Sequence, residues 1–295
     1  MSKAARPMAA DVSVVVPTIG RDLLRACLLS LLRGSVWPFE VLVVDQSSDS
    51  AVTEWIAEVA SSGMRISHIP SHHKGIARAT NLGFDNVHTP WVAVTHDDCE
   101  VAPDWLETLG THVDASEEAV VTGRVEPGGD GVVITVKTSR EPARYTRPQL
   151  DGDVLFPLNM GFPIHLLQRI GRFDEHPSLR LAGEDNEWAH RVLRGGIPIV
   201  YDPDMVVHHV AWQQKRDLYP MYRRYAYGQG SFYGKHLGRG DAFLALRTLR
   251  DVVRAPWLLI RGLLTRNAEL VAMGRGEIAG LFPGIVAGLR RRKDA

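Results

Sequence analysis

Acidic residues follow two hydrophobic runs in the first hundred residues of the chain. Asp45 follows the run Val41–Val44, and Asp97 and Asp98 follow the run Trp91–Thr95 after a single histidine. Ligands of an open parallel sheet bind outside the carboxyl ends of its strands, where these acids are expected. Asp45 can accept hydrogen bonds from a nucleobase or ribose, and it can equally cap a turn or helix. The acids therefore predict a polar site at one edge of a sheet.

Asp97 and Asp98 are adjacent carboxylates at a predicted strand end. They repel each other and lose water there, and a divalent cation is the usual source of compensation. Oxygen ligands of this kind favour Mg²⁺ or Mn²⁺, which can also bridge a diphosphate. The alternative is an acidic loop that caps a helix starting near Pro103. The pair predicts a metal site with that alternative left open.

Three further groups later in the chain have the composition of a site. Glu184 and Asp185 precede a predicted helix, where a carboxylate can act as a general base or simply favour the helix dipole. His208 and His209 end a strand-like run and can ligate a metal or be structural. Asn159–Gly161 combines a polar residue with a small one, which permits close approach to a ligand or a simple turn.

The elements that position these groups are indicated by hydrophobic periodicity. Runs such as Val12–Val16 predict strands buried on both faces, and segments such as Leu23–Leu32 carry apolar residues at helical spacing. Strand and helix patterns alternate about every 25 residues over the first hundred residues, which predicts an α/β fold with an open, mostly parallel, doubly wound sheet. Short strands and helices are predicted up to residue 210, and only helices beyond residue 212.

Composition excludes several classes of protein. The chain has 295 residues, 45% of them hydrophobic, and only two cysteines, Cys27 and Cys99. This profile excludes a collagen, a long coiled coil, a disulfide scaffold and a cysteine-based zinc site. No segment approaches the roughly 18 uninterrupted apolar residues of a membrane span, since Ala255–Leu264 and Ile278–Leu289 are short or broken, and no signal peptide is recognised.

The net charge of zero conceals a strong asymmetry. Residues 215–294 carry 16 Lys and Arg against 6 Asp and Glu, and residues 1–210 carry 18 against 28. The basic region interleaves arginine with apolar and aromatic residues, which favours amphipathic helices on an anionic membrane surface. A helical appendage packed on the catalytic domain, or a dimer interface, is the alternative. No nucleic-acid-binding motif accompanies the basic residues, so nucleic acid is not expected as a partner.

Taken in order, eight segments of residues 11–210 make the chain resemble the family-2 glycosyltransferases of the GT-A fold. The segments are Val12–Thr18, Val41–Asp49, Gly75–Gly83, Thr95–Leu106, Asn159–Gly161, Ile170–Glu175, Gly183–Asp185 and Tyr201–His209.

The resemblance implies an inverting hexosyl- or deoxyhexosyl-transferase that moves a sugar from a nucleotide-diphosphate donor to an acceptor hydroxyl. It implies residues 11–100 as the nucleotide-sugar-binding half of a GT-A domain, 101–210 as the acceptor-binding half, and 211–295 as a basic helical appendage, after a tail of residues 1–10. The expected role is polysaccharide biosynthesis, in cell-surface glycan or glycolipid synthesis, by a cytoplasmic enzyme peripheral to the inner face of the membrane. The acceptor would be a glycan or lipid-linked, and the C-terminal helices could form a homo-oligomer.

The resemblance also carries roles onto individual residues of this sequence. It implies Asp185 as catalytic base and Asp98 and His209 as ligands of Mn²⁺ or Mg²⁺, with His208 as the alternative to His209. The residues it implies for binding the donor are Pro17, Thr18, Asp45, Arg78, Asn81 and Asp97. The residues it implies for binding the acceptor are Asn159, Met160, Gly161, Glu184 and Trp188.

The sequence departs from the family pattern at two places. His96 stands where many relatives have a third acid, which can change metal use, and Phe162–His165 follows Asn159–Gly161 where a basic residue is frequent. Two alternative functions stay open on this evidence. One is a nucleotidyltransferase, for which the loop after the first strand is a poor match, and the other is a non-catalytic nucleotide-sugar-binding protein.

Overall fold

The computed structural model describes residues 8–129, 131, 135–179, 182–210 and 218–291. The chain divides into two compact units. Unit 1 consists of Met1–Phe173 and Ala189–Trp212, and unit 2 consists of Asp174–Trp188 and Gln213–Ala295. Unit 2 therefore takes Asp174–Trp188 from within the region that the sequence assigned to the acceptor-binding half.

The first hundred residues of unit 1 alternate between strand and helix, as their periodicity predicts. Each predicted element of this region is present, although β1 and β2 extend beyond the hydrophobic runs that predicted them. The elements are β1 (Met8–Thr18), α1 (Leu23–Arg33), β2 (Trp37–Asp45), α2 (Ser50–Ala60), β3 (Ile66–Pro70), α3 (Ile76–Asp85) and β4 (Trp91–Thr95).

The remainder of unit 1 is less regular. The hydrophobic runs Ile197–Tyr201 and Met205–Val210 predict two separate strands, but a single strand, β9, is present in this region. The elements are β5 (Cys99–Val101), α4 (Trp105–Asp114), β6 (Val120–Gly128), β7 (Ala143–Tyr145), β8 (Asn159–Pro163), α5 (Leu167–Ile170), α6 (Glu184–Arg194), which begins in unit 2, and β9 (Ile199–Val210).

One sheet contains all nine of these strands, eight of them in the order β3-β2-β1-β4-β8-β6-β9-β5, with β7 paired to β9. The strands β3, β2, β1 and β4 are parallel, as are β6 and β9, whereas β8, β5 and β7 pair in the antiparallel direction. The parallel part is the region that the alternation predicted, and its carboxyl ends at Thr18, Asp45 and Thr95 form one edge of the sheet.

The core of unit 1 lies between this sheet and its flanking helices. Val14 and Val43 of the central strands are buried together with Leu28 of α1 and Leu109 of α4. β-branched side chains pack well on a pleated surface, which explains why runs of valine form the central strands here. The core thus fixes the sheet edge on which the acidic residues lie.

Unit 2 contains three long helices, α7 (Leu218–Leu237), α8 (Ala242–Leu264) and α9 (Ala268–Arg290). Helices α7 and α9 approach each other through glycines. A Cβ atom added to Gly280 would lie 2.2 Å from the Arg223 carbonyl oxygen, and one added to Gly284 would lie 2.1 Å from that of Tyr227. Only glycine permits such backbone contact between helices.

Helix α9 corrects one prediction from the sequence. By length and composition, it is the one helix of the described residues that is apolar enough to cross a membrane, with a third of its most apolar window buried. The sequence had suggested a broken segment at Pro283, but α9 continues through this proline.

Candidate active site

The acidic pair Asp97–Asp98 lies in the tight turn between β4 and β5. The turn is closed by a hydrogen bond from the Cys99 amide to the His96 carbonyl oxygen at 3.1 Å. Both carboxylates are buried, with 1% of Asp97 and 7% of Asp98 exposed. Two buried acids in one turn need nearby positive charge or hydrogen-bond donors.

The last residue of β1 and the residues that follow it supply donors to Asp97. Its carboxylate accepts hydrogen bonds from Thr18 Oγ1 at 2.7 Å, the Ile19 amide at 3.3 Å and Arg21 Nη1 at 2.5 Å. Burial raises the pKa of Asp97, and the charge of Arg21 opposes that effect. These contacts join the carboxyl ends of β1 and β4, and they use both carboxylate oxygens of Asp97 within the protein.

Asp98 faces a histidine of β9. Cys99 of β5 pairs with His209, and the Val210 amide donates to the Asp98 carbonyl oxygen at 2.8 Å. His209 Nε2 consequently lies 3.7 Å from Asp98 Oδ1. Burial alone would raise the pKa of Asp98, but His209, His96 and Arg21 outweigh it and hold that pKa well below its usual range.

The structure shows which of His208 and His209 lies beside the acidic pair. Successive side chains of a strand point to opposite faces. His208 is exposed, and its Nδ1 lies 3.7 Å from Glu126 Oε2, away from the acidic pair. His209 is therefore the histidine that lies beside Asp98.

Asp98, Cys99 and His209 bring one ligand atom each within 4.8 Å of one another. Burial raises the pKa of the Cys99 thiol well above its usual value, so the thiol keeps its proton and donates to Asp98 Oδ1 at 3.6 Å. The donors left for a cation are a carboxylate oxygen and an imidazole nitrogen. This donor chemistry fits Mn²⁺ or Mg²⁺ better than a metal that requires thiolates.

His96 adds a second imidazole near the same carboxylate. Burial lowers the pKa of His96 to about 4, so the ring is neutral at physiological pH. Its Nε2 is buried and has no hydrogen-bond partner among the described residues. A buried nitrogen without a partner beside an ionised acid is consistent with a site built to receive a cation.

The residues predicted to bind the nucleoside lie along the same edge. Thr18 of β1 is paired with Asp45 of β2, and the Gln46 side chain links the Thr18 carbonyl oxygen to the Gly75 amide. The Asp45 carboxylate accepts from the Ser47 amide at 2.8 Å and lies 2.9 Å from His68 Nε2. Asp45 thus forms a turn rather than capping α2, whose N-cap is Asp49.

The two predicted donor-binding residues of α3 have different surroundings. Asn81 is buried, and its amide both donates to the Phe173 carbonyl oxygen at 2.9 Å and accepts from the Phe173 amide at 3.1 Å. Arg78 is exposed on the same helix. The Asn81 side chain therefore braces α3 within unit 1, whereas Arg78 is accessible to a ligand.

The segment Asn159–Gly161 forms β8 in the interior of the sheet. The Asn159 amide donates to the carbonyl oxygens of Arg124 and Met205 at 2.9 and 2.8 Å and accepts from Trp105 Nε1 at 2.7 Å. A Cβ at Gly161 would lie 2.7 Å from the Leu109 side chain. These side chains, with that of Met160, face the core, so in this structure they are not accessible to an acceptor.

The predicted base and its neighbours lie at the start of α6, in unit 2. Glu184 is buried, and burial followed by the charge of Asp185 raises its pKa well above the usual range. Asp185 is partly exposed, and its Oδ1 accepts from the Asn186 amide at 2.8 Å. Trp188 is fully buried. Asp185 is therefore the accessible carboxylate of this pair, whereas burial favours the protonated form of Glu184.

A buried ion network in unit 2 holds α6 against α7. Glu187 Oε1 lies 2.6 Å from Lys235 Nζ and 3.0 Å from His236 Nε2, and Lys235 also reaches Asp174. Sequence reasoning missed Glu187, Arg21 and His68 as neighbours of the predicted site, and it singled out His96 only as a departure from the family pattern. Arg21 and His96 did carry a signal, since each is close in sequence to a predicted site residue, but nothing in the sequence identified the contacts that each makes.

Two curated relatives match the sequence. The pre-mycofactocin glycosyltransferase of Mycobacterium tuberculosis is 26% identical over 96% of this chain, and the chain spans 58% of the length of that relative. The glycosyltransferase GlyA of Streptococcus pneumoniae serotype 4 is 29% identical over 33% of the chain, which spans 14% of GlyA.

Solved structures share the fold at low sequence identity. The mannosyltransferase PcManGT from Pyrobaculum calidifontis, solved with GDP-Man and Mn²⁺, has a TM-score of 0.64 at 17% identity, covering 98% of this chain and 88% of that one. Staphylococcus aureus TarS has a TM-score of 0.54 at 17% identity, covering 79% and 44%. The fold is thus that of GT-A glycosyltransferases, as the sequence predicted.

The family model described as glycosyl transferase family 2 matches residues 13–168. This match covers more than half of the chain, including the ends of β1, β2 and β4 and the acidic pair. The chain therefore belongs to glycosyl transferase family 2.

Proposed function

We propose that the protein transfers a sugar from a nucleotide-diphosphate donor to an acceptor hydroxyl with inversion at the anomeric carbon. The observation that carries the proposal is the pairing of the buried Asp98 with the partly buried His209 at the carboxyl edge of the sheet. Membership of family 2 supports the transferase class. We assign the transferred group to the hexose or deoxyhexose class.

Asp98 and His209 would hold Mn²⁺ or Mg²⁺ in this function. The PcManGT complex with GDP-Man and Mn²⁺ supports this assignment through its shared fold. When bound, the cation supplies positive charge that stabilises the diphosphate leaving group. Asp97 acts indirectly, because its hydrogen bonds to Thr18 and Arg21 fix the turn that presents Asp98.

The donor nucleoside would bind where β1 and β2 end. Pro17 and Thr18 form the end of β1, and Asp45 forms the end of β2 with His68 beside it. Arg78 is the basic residue of α3 that we assign to the diphosphate or nucleoside. We assign Asn81 a bracing role in that segment because Phe173 engages both ends of its amide.

Asp185 would act as general base toward the acceptor hydroxyl. It is the accessible member of the acidic pair at the start of α6, whereas Glu184 is buried and its pKa is raised. We assign Glu184, in its protonated form, and Trp188 to the acceptor side of the site, next to the base in the sequence. A base of this kind contributes about 10²–10⁴-fold to the rate.

The proposed acceptor is a glycan or a lipid-linked molecule, in cell-surface glycan or glycolipid synthesis. The enzyme would work in the cytoplasm as a peripheral protein at the inner face of the membrane. The basic composition of residues 215–294 supports this location. The name of the M. tuberculosis relative supports including pre-mycofactocin in an acceptor panel.

The test is release of nucleotide diphosphate from a panel of nucleotide sugars, with Mn²⁺, with Mg²⁺ and with a chelator, in the presence of candidate acceptors. Asp185→Asn should lower transfer by about 10²–10⁴-fold and leave donor binding intact. Asp114→Asn, which alters an exposed acid of α4, is the matched control. Wild-type turnover by Asp185→Asn would contradict the assignment. Release of pyrophosphate when the chain is instead given a nucleoside triphosphate and a sugar 1-phosphate would favour a nucleotidyltransferase, and donor binding without turnover would favour a non-catalytic protein.

A further inference from the structure

Helix α8 carries an apolar face that the described residues leave exposed. Six large apolar side chains recur along it every three or four residues, and each is between 52% and 80% exposed. This spacing places them on one side of the helix. They are Leu246, Leu249, Val253, Trp257, Ile260 and Leu264, here called the outward face.

The opposite side of α8 already packs within unit 2. Leu244, Ala255 and Leu258 are buried there, and Gly262 lies against Leu270 of α9. A helix on the surface of a globular protein usually has one apolar stripe, facing the core, and a polar opposite side. Helix α8 has a second apolar stripe, and contiguous exposed apolar surface of this size marks an interaction site.

The charges around the outward face are basic. Arg261 is exposed, and its guanidinium carbon lies 5.1 Å from the centre of the Trp257 ring. The one acid of α8, Asp251, is buried and bonded to Tyr233 and Arg250. Residues 218–291 carry twelve Lys and Arg against four Asp and Glu. The face therefore combines apolar side chains with positive charge and has no exposed acid on its own helix.

Helix α9 is a poorer candidate for contact with lipid, although its length and composition would permit a span. Its glycines at positions 276, 280, 284 and 288 are packed on the backbone of α7. Its buried Glu277 is paired with Arg254 of α8 at 2.7 Å. Inserting α9 into a bilayer would break these contacts, whereas the side chains of the outward face of α8 are already exposed among the described residues.

We propose that the outward face of α8 docks on the surface of an anionic phospholipid bilayer, with the helix lying in the plane of the interface. Leucine, valine and tryptophan side chains would enter the boundary between headgroups and acyl chains, and arginine would contact lipid phosphates. This inference rests on the peripheral-membrane part of the proposed function and is tested apart from the transfer reaction.

A second copy of the chain fits the outward face less well. A symmetric contact between two copies brings the same surface of each together. Such a contact would join two basic helices, with no exposed acid on either helix to compensate for their charge. Charge complementarity thus favours an anionic lipid surface.

The experiment measures flotation of the full chain with vesicles of phosphatidylcholine alone or with about 30% phosphatidylglycerol, which supplies the anionic surface. One variant combines Leu249→Ser, Val253→Ser and Trp257→Ser, and a second, Arg261→Glu, keeps every apolar side chain. Arg65→Glu in unit 1 is the matched control. Arg65 is exposed and, like Arg261, lies over an aromatic ring, with its guanidinium carbon 4.7 Å from the centre of the Phe39 ring. Circular dichroism verifies folding, and Mn²⁺ titration by electron paramagnetic resonance reports separately on the proposed transferase site.

The wild-type chain should float with the anionic vesicles, and 0.5 M salt should weaken binding because surface charge is then screened, at a Debye length of about 4 Å. The triple variant should bind at least tenfold more weakly, and Arg261→Glu about fivefold or more. The control should match the wild type.

Equal flotation of wild type and triple variant, or equal binding to both vesicles, would overturn the proposal. So would a dimer in solution that the triple variant dissociates, since the face would then join two copies.

Discussion

Arg21 is the positive charge that the structure places closest to the acidic pair. Its Nη1 lies 2.5 Å from Asp97 Oδ1 and 3.5 Å from Asp98 Oδ2. Asp97 is buried, so it depends on this partner for compensation of its charge. The basic residue that follows β1 thus has a structural role in addition to any contact with a diphosphate.

Arg21→Met should lower the free energy of unfolding by about 2 kcal/mol, the value of a hydrogen bond to a charged group. The matched control is Arg25→Met, which removes an exposed pair with Glu58 and should leave stability nearly unchanged. Urea unfolding of both variants at one pH measures the difference. Equal stability of Arg21→Met and wild type would show that Asp97 does not rely on this guanidinium.

Glu184 links stability to pH through its buried carboxyl. Because burial and Asp185 raise its pKa, the folded chain keeps a proton that the unfolded chain releases above a pH of about 4.3. The unfolded state then binds fewer protons, so this group makes stability fall as the pH rises until the folded-state pKa is reached. The glutamine of Glu184→Gln does not titrate, so this variant does not lose stability in this way as the pH rises.

The expected result is that Glu184→Gln gains stability relative to the wild type as the pH is raised from about 4 to 8. Thermal or urea unfolding across this range measures it, with Glu54→Gln at an exposed position of α2 as control. A difference between wild type and Glu184→Gln that does not vary with pH would mean that Glu184 is ionised in the folded chain.

The positions of single residues in the candidate site could be predicted from the sequence where a residue lies at the end of a predicted strand. Asp98 follows β4 and His209 lies in β9, and the two meet because β5 pairs with β9 in the register Cys99 to His209. Asn81 and Asn159 illustrate the limit. Each is a polar residue in a family segment, but each amide binds backbone groups of the protein. Sequence cannot distinguish a buried asparagine that braces the core from one that binds a ligand.

At the scale of elements, the first hundred residues were the most predictable because their strands are continuous valine-rich runs. The strands that follow the first hundred residues were less predictable. Asp202 and Pro203 interrupt the hydrophobic pattern of β9, which predicted two strands, but the strand continues through an irregularity where its pairing shifts from Asp202 to Val206. A bulge of this kind accommodates proline and keeps the ladder on both sides.

The glycines of α9 give a prediction for the helices of unit 2. Gly284→Ala would place a Cβ 2.1 Å from the Tyr227 carbonyl oxygen, so α7 and α9 must separate. We expect a loss of about 1–3 kcal/mol in the free energy of unfolding, as for other overpacked contacts. Urea unfolding measures it.

Gly110→Ala is the matched control for this prediction. Gly110 lies in α4, and a Cβ there meets nothing within 4 Å. Alanine should therefore stabilise α4 by up to about 1 kcal/mol through its higher helix propensity. If Gly284→Ala stabilises the chain as Gly110→Ala does, the close contact between α7 and α9 is absent in solution.

At the scale of the whole molecule, the net charge of zero divides between an acidic stretch, residues 1–210, and a basic one, residues 215–294. The acidic stretch contains the candidate cation site, and the basic stretch contains the outward face of α8. This division was visible in the sequence. The face itself was not, because both sides of α8 are apolar and the pattern does not show which side packs.

Cation binding should stabilise the folded chain as a whole, because the site of Asp98 and His209 exists only when β5 and β9 are paired. A ligand that binds the folded state alone raises the free energy of unfolding by about 2.7 kcal/mol at a concentration 100 times its Kd. We therefore expect Mn²⁺ to raise the unfolding temperature and a chelator to reverse the shift.

The adjacent histidines of β9 separate this effect from nonspecific binding of Mn²⁺ to surface acids. His209→Ala removes the imidazole beside Asp98 and should abolish most of the shift, whereas His208→Ala removes one that lies near Glu126 and should retain it. Both variants lose an imidazole from the same strand. The difference between their Mn²⁺-induced shifts in unfolding temperature therefore reports only the position of the lost imidazole. If the shift is the same in both variants, the cation is held elsewhere, and the site assigned to the carboxyl edge of the sheet is wrong.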